Sequence, residues 1–435
     1  MEEVAMTEYQ ELQNVLKRSP DFLDFQKPDS DVIYQYRSFK SFLSILKSDC
    51  FWATNARFSN DDEEQRFVTE ILEVPLCKQR IHIDSKSIDE NYIVCFCRDR
   101  DKLSQWRGYA PEGGVSIGFA FPGPVPFYVK ASNTREHGAP AISDKAFYVQ
   151  AEPVVYISPR KNSASEEQYY RTCFETMHFT FPNITLGSKD REKIYDEICT
   201  KAPYVKHSGF SEESELRLVF PNADGFFDSY IQYRGSEEEL IKTPYIEVHA
   251  GLPQRNEYPC VIRVCVENIE KGDNLVSQLC ENLNDLHVEV ENCVDHTKGE
   301  LQDSFCAGCT VRHWIGIDSM NHCRGAYSNP NRDDYDYQLG LSTHENSIII
   351  SQGMGQEAVF NRVYPIVQEF SEKSSDEDKI KVWCEGHLPV RSITVGPSPN
   401  QSTIIEYIQH YCRHTYWLRD VDIYASDIPY RRSTV

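Results

Sequence analysis

Apolar residues in this chain come in short runs of strand length, and no run extends far enough to build anything else. VIYQYRSF (32–39), YIVCFC (92–97), VSIGFAF (115–121), VVYI (154–157), ELRLVF (215–220), TPYIEV (243–248) and RSITVGP (391–397) each span four to eight residues. Several alternate apolar and polar residues with the period of two that a half-buried strand requires. Between them lie segments of helical spacing. Tyr9, Leu12, Val15 and Leu16 mark a helix over 7–18, and Phe39, Phe42, Leu43, Ile45 and Leu46 mark another behind Ser38, a residue suited to an N-cap. Further helices are predicted over 165–178, over 189–202 behind Ser188, and over 403–413, with an extended end at VDIYASDIPYRR. Strands and helices in this mixture specify an α+β fold: a mixed, mainly antiparallel split sheet flanked by helices, with an inserted subdomain.

The texture changes between residues 258 and 385, where Asn, Asp, Cys and His accumulate. The expected organisation is an N-terminal helical segment (1–31), a main α+β domain (32–257), an insertion or accessory subdomain (258–385), and a strand-helix-strand unit (386–435) that completes the main domain. Asn60, Asp61 and Asp62 form a turn cluster suited to the start of a further helix.

Charge restricts the partners. Sixty-seven acidic residues against 45 basic ones give a net charge of -22, which repels phosphate backbones and anionic lipid and argues against an extended nucleic-acid binding face. No stretch reaches the roughly 18 apolar residues of a membrane span, and the first residues, MEEVAMTEYQ, have no signal-peptide pattern. The expectation is a cytoplasmic protein whose 15 cysteines are mostly buried, reduced thiols.

Chemistry concentrates in a few places. In Glu213-Ser214-Glu215-Leu216-Arg217, period two puts Glu213, Glu215 and Arg217 on one face of a strand and Leu216, Leu218 and Phe220 on the other. Two carboxylates so placed suit glycosyl chemistry, one stabilising a developing oxocarbenium ion and the other orienting a nucleophile. The plainer reading is an ion pair between Glu215 and Arg217. Arg37, next to Tyr36 and just before a helix start, suits a diphosphate clamp, or equally a guanidinium stacked on tyrosine. The loop from Gln105 to Gly114 carries Trp106, Arg107, Tyr109 and three glycines. It suits a planar ring such as nicotinamide, while Trp106 also suits a core plug.

Weaker patterns complete the reading. Cys306, Cys309, His313, His322 and Cys323 are residue types that zinc takes, but their spacing matches no standard finger, so reduced thiols are preferred to structural zinc. Gly353-Met354-Gly355 follows a strand but lacks a full phosphate-loop pattern. A metal-dependent nuclease built on Asp61, Glu213 and Glu215 would need a divalent ion and would work against the -22 charge. No GxSxG, HExxH or kinase set is present.

The joint order of YQYRSFKSFLSILKSDCFWATNARFSNDDEE, VCFCRDRDKLSQWRGYAPEGGVSIGF, ESELRLVF, LPVRSITVGP and DIYASDIPYRR resembles a large bacterial family of uncharacterised proteins. The resemblance spans residues 32–258 and 386–432; the chain departs from it in Asp62, where proline is usual, and in the long insert. More distantly, the layout is similar to that of ADP-ribosyltransferases. That likeness implies that NAD is the substrate, that Arg37 grips its phosphates, that Trp106 or Tyr109 stacks on nicotinamide, that Tyr36 is a further cofactor-binding residue, that Glu215 stabilises the ribosyl cation, and that Glu213 orients a macromolecular acceptor. The implied role is a phage-defence or toxin effector. The alternative is a non-enzymatic module of a bacterial defence system that senses a small nucleotide or binds another protein.

Overall fold

The computed structural model describes residues 32–58, 91–110, 113–121, 125–130, 147–158, 202–222, 225–235, 242–251, 260–266, 269–283, 289–293, 346–352, 356–373, 381–384 and 386–430. Within these the protein is α+β, with one large, mostly antiparallel sheet and a second, smaller one. The helices expected over 7–18 and 165–178, most of that over 189–202, the Asn60–Asp62 cluster, the cysteine-histidine group from Cys306 to Cys323 and the Gly353–Gly355 turn lie outside the described residues.

In chain order the main sheet opens with β1 (Val32–Arg37), α1 (Phe39–Ser48), β2 (Phe51–Asn55), β3 (Asn91–Cys97), α2 (Leu103–Tyr109), β4 (Val115–Ala120), β5 (Val125–Lys130), β6 (Phe147–Val149) and β7 (Glu152–Pro153). After the parallel pair β8 (Val155–Ile157) and β9 (Val205–His207) come β10 (Glu215–Pro221), β11 (Gln232–Arg234) and β12 (Thr243–Ala250). The second sheet holds β13 (Cys260–Val266), β14 (Glu289–Cys293), β15 (Asn346–Gln352) and β16 (Lys381–Cys384), with α3 (Ile269–Leu283) and α4 (Gln356–Lys373). The chain then returns to the main sheet through β17 (Val390–Val395), α5 (Gln401–His414) and β18 (Asp422–Ala425).

One strand organises the main sheet. β10 runs antiparallel along one edge of β3, from Glu215 opposite Cys97 to Pro221 opposite Asn91. The other edge of β3 is shared between two strands: Cys97 faces Tyr34 of β1, whereas Ile93 and Tyr92 face Thr54 and Asn55 of β2. Beyond that single Tyr34 pairing β1 leaves β3 and follows β4, while β2 follows β12. The sheet therefore splits beside the middle of β3, and backbone groups there need other partners. Gln35 Nε2 supplies one, donating to the Cys95 carbonyl at 3.2 Å.

Local sequence explains α1. Ser38 accepts the Ser41 N–H at 3.3 Å, Phe42 and Leu46 face the core, and Asp49 ends the helix in the left-handed region at φ 50. The Asp49 carboxylate takes the Leu388 N–H at 2.9 Å and lies 2.6 Å from His387 Nδ1, so the return of the chain is fastened to this turn. On the inner face of the sheet Phe51, Phe96, Phe119, Phe121, Phe127 and Phe220 pack ring against ring with Ile117, Leu216 and Leu218. The second sheet has its own core, in which Ile262 and Val264 meet Leu275, Leu279, Phe360 and Val363 from its two helices.

Two sequence expectations need correction. Leu103–Tyr109 is a helix and not an open loop, because burial of Gln105 and Trp106 outweighs the low helix propensity of Gly108. Glu213 is not part of the strand. Ser214 takes the left-handed conformation at φ 47, so β10 begins at Glu215 and Glu213 ends a 3₁₀ turn. Period two holds from Glu215 onward, with Leu216, Leu218 and Phe220 in the core and Glu215 and Arg217 on the other face.

Candidate functional site

Where β1 and β2 part, a cavity of about 320 Å³ opens on the face of the sheet away from the core. That volume is at the lower end of the range for small-molecule sites. β1 contributes Tyr34, Gln35, Tyr36 and Arg37; β2 contributes Trp52 and Thr54; β3 contributes Cys95 and Cys97. Tyr109 of α2, Lys206 of β9, Arg234 of β11, and Glu213, Glu215 and Arg217 around the start of β10 also line it. The charged residues lining it are four cations and two carboxylates, a local excess of +2 in a chain whose net charge is -22.

The acids and two of the cations form one network. Arg217 donates from Nε to Glu215 Oε1 at 2.7 Å and from Nη2 to Glu215 Oε2 at 3.0 Å, a bidentate fork, while its Nη1 donates to the Pro203 carbonyl at 2.6 Å. Lys206 Nζ bridges the two acids, 2.7 Å from Glu213 Oε2 and 3.1 Å from Glu215 Oε2. Burial alone would raise the Glu215 pKa, but the Arg217 charge and hydrogen bonds, with help from Lys206 and Cys95, hold it at about 2. Glu215 is thus ionised with both oxygens occupied and only 6% of its side chain exposed. Glu213 is 23% exposed and, among the described residues, is held only by Lys206 and by the Tyr109 hydroxyl, which donates to its Oε1 at 3.2 Å. Desolvation, and then the Glu213 charge, push the Tyr109 phenol upward, so it stays a donor.

The other two cations are differently placed. Arg234 Nη2 donates to Thr54 Oγ1 at 2.9 Å, and Arg37 is deeply enclosed although part of its side chain keeps surface in the cavity. Among the described residues no carboxylate pairs with either. Desolvation lowers both pKa values, and the charge of Arg234 lowers that of Arg37 further. Arg37 owes its place to glycine: a Cβ on Gly114 would come within 2.3 Å of the Arg37 carbonyl, so only glycine lets the start of β4 lie against the end of β1. By strand alternation Tyr36 and Arg37 belong on opposite faces, yet the parted sheet lets both reach one cavity.

Of the residues singled out from sequence, Tyr36, Arg37, Tyr109, Glu213 and Glu215 line this cavity and Trp106 does not. Trp106 is 4% exposed, with its ring edge-on to Tyr36 at 4.7 Å. Its Nε1 donates to Asp101 Oδ1 at 2.6 Å, and the Asp101 carboxylate also receives Ser426 Oγ and the Asp427 N–H. It is a core plug that ties α2 to the C-terminal segment. Tyr36 also lines the cavity although only 3% of it is exposed, and its hydroxyl donates to the Asp99 carbonyl and accepts the Lys102 N–H. Lys206 and Arg234 were missed: each sits in a three-residue strand, too short for any periodicity to draw attention to it.

Over residues 105–218 the chain matches a family described as "Protein of unknown function (DUF2971)". The matched stretch holds Tyr109, Lys206, Glu213, Glu215 and Arg217 but ends before Arg234 and begins after Arg37. No curated protein and no solved structure matches the chain. Among the described residues, no helix is long and apolar enough to cross a membrane.

Proposed function

We propose that this cavity is the NAD site of an ADP-ribosyltransferase-like enzyme, which breaks the bond between nicotinamide and ribose and passes ADP-ribose to a macromolecular acceptor. The observation that carries the reading is the meeting of Arg37, Tyr36, Tyr109, Glu213 and Glu215 in one cavity with a local charge excess of +2. Arg37 and Arg234 take the ligand's phosphates as charge-assisted partners. The aromatic rings of Tyr36 and Tyr109 take the flat face of nicotinamide. The glycosidic C–N electrons leave with nicotinamide, the ribose carbon becomes cationic, and a carboxylate stabilises it until the acceptor attacks and gives up its proton. Glu213 suits that role better than Glu215, because it is more exposed and shares Lys206 with its neighbour, whereas Glu215 is neutralised by Arg217 and Lys206. In this reading Glu215 is a positioning residue.

The test is release of nicotinamide from NAD by the purified full chain, with candidate acceptors present. Glu213→Gln should reduce turnover on the order of 100-fold or more while leaving NAD affinity and fold intact. A chain that binds NAD but releases no nicotinamide with any acceptor would overturn the enzymatic reading. It would favour a second one, a nucleotide-sensing module without catalysis, which draws on the complete pairing of Glu215 by cations.

A further inference from the structure

Beyond the cavity, past Trp52 on the same outer face of the sheet, a second group of chemically active side chains gathers. β2 and β12 pair with Phe51 opposite Val248 and Trp52 opposite Glu247. Continued by one residue, that register puts Cys50 opposite His249, with Glu247 on the diagonal. All three leave the face that Phe51, Ile246 and Val248 turn toward the core. One ligand atom from each of Cys50, Glu247 and His249 lies within 4.8 Å of the others. The Cys50 side chain is fully buried.

An independent feature points to what belongs there. His249 Nε2 is buried and, among the described residues, has no hydrogen-bond partner. Nε2 is therefore the ring nitrogen open to a ligand, while the ring lies beside the backbone of Asp49. A histidine held in place with one nitrogen left open has the arrangement a metal ligand takes. Tyr128, opposite His249 in the next strand, stacks on the ring at 5.2 Å and holds its plane.

We propose that Cys50, Glu247 and His249 form a zinc site that fastens the turn after α1 to β12, with a water molecule in the fourth position. One sulfur, one nitrogen and one oxygen ligand suit zinc, and a thiolate plus a carboxylate balance its double charge. Binding breaks the Cys50 S–H bond, forms a sulfur–metal bond and releases one proton to solvent. The competing cation is Lys130, opposite Glu247 in the ladder.

Cobalt substitution in the full chain tests this. Cobalt(II) added to metal-stripped protein should give a thiolate-to-cobalt charge-transfer band, and zinc should abolish it at one equivalent per chain. Cys50→Ser and His249→Ala should remove the band, whereas Cys280→Ser, at an exposed cysteine of α3, should leave it. If Cys50→Ser does not fold, Glu247→Gln at its half-buried position carries the test, and should weaken cobalt binding at least tenfold in a folded chain. Absence of a band in the parent protein, or an undiminished band in a folded Cys50→Ser or His249→Ala chain, would overturn the site.

Discussion

Two arginines in one cavity show how differently the same side chain can be used. Arg217 is closed into a fork with Glu215 and a further bond to the Pro203 carbonyl. Arg37, across the cavity, has no carboxylate among the described residues and lies close enough to Arg234 for the two charges to repel. The first arrangement holds the protein together; the second keeps a positive charge desolvated, which costs stability until an anion arrives. The same replacement should therefore have opposite consequences. Arg217→Met leaves Glu215 buried without its main partner and should cost about 3–5 kcal/mol in a denaturant titration. Arg37→Met removes an uncompensated cation and should leave stability unchanged or raise it. A large loss in Arg37→Met would break the contrast.

Acid sharpens the same contrast. Glu215 titrates at about 2 against an ordinary 4.5, so its contribution is complete above the unfolded value and disappears as pH falls through the folded one. The depression corresponds to roughly 3 kcal/mol, at about 1.4 kcal/mol per pH unit, lost between about pH 5 and pH 2. Denaturant midpoints measured across that window should fall more steeply for the parent than for Arg217→Met, which has already given up most of the depression. Parallel curves would show that other carboxylates govern the acid response.

How far sequence alone reaches is clear from these same residues. The β10 pattern was legible because Leu216, Leu218 and Phe220 alternate into the core, and α1 was legible from its cap and stripe. Glu213 was assigned to the wrong element because nothing in the string Glu-Ser-Glu reveals that Ser214 turns left-handed. The split of the sheet is a matter of which strands share the edge of β3, a long-range pairing that no local periodicity encodes. That split decides which side chains share the cavity, so strand alternation alone put Tyr36 and Arg37 on opposite faces, and only the likeness to ADP-ribosyltransferases joined them in one expected site. Trp106 was ambiguous for a related reason: its composition fits a stacking loop, and only the contact with Asp101, fixed in turn by Ser426 and Asp427 more than 300 residues away, makes it a plug.

On the ligand side, Arg37→Met should weaken binding of ADP-ribose by roughly 10- to 100-fold, the value of hydrogen bonds made to a charged group, about 1.5–3 kcal/mol. Calorimetry at two salt concentrations checks it, because the loss should shrink as salt screens the phosphate. The same variant at full strength in both properties, more stable and weaker in binding, would identify the strain at this end of the cavity as functional. Unchanged affinity would move the anion to Arg234 alone.

The smallest effect belongs to the hydroxyl of Tyr109, and it separates the two acids most cleanly. Tyr109 gives Glu213 one hydrogen bond at 3.2 Å and gives Glu215 none, while its ring forms part of the cavity wall. Tyr109→Phe keeps the ring and removes the donor, so global stability should change by no more than about 0.5–1.5 kcal/mol, the usual value of a neutral donor to a partly exposed acceptor. Turnover should respond differently from stability. Without that bond Glu213 is held, among the described residues, by Lys206 alone, and its carboxylate swings through a wider range at the moment it must face the ribose carbon. If Glu213 is the catalytic carboxylate, turnover should fall by about tenfold with little change in NAD affinity, since a positioning loss appears in kcat more than in KM. If Glu215 carries the chemistry, held as it is by Arg217 and Lys206, the same substitution should leave kcat within about twofold of the parent.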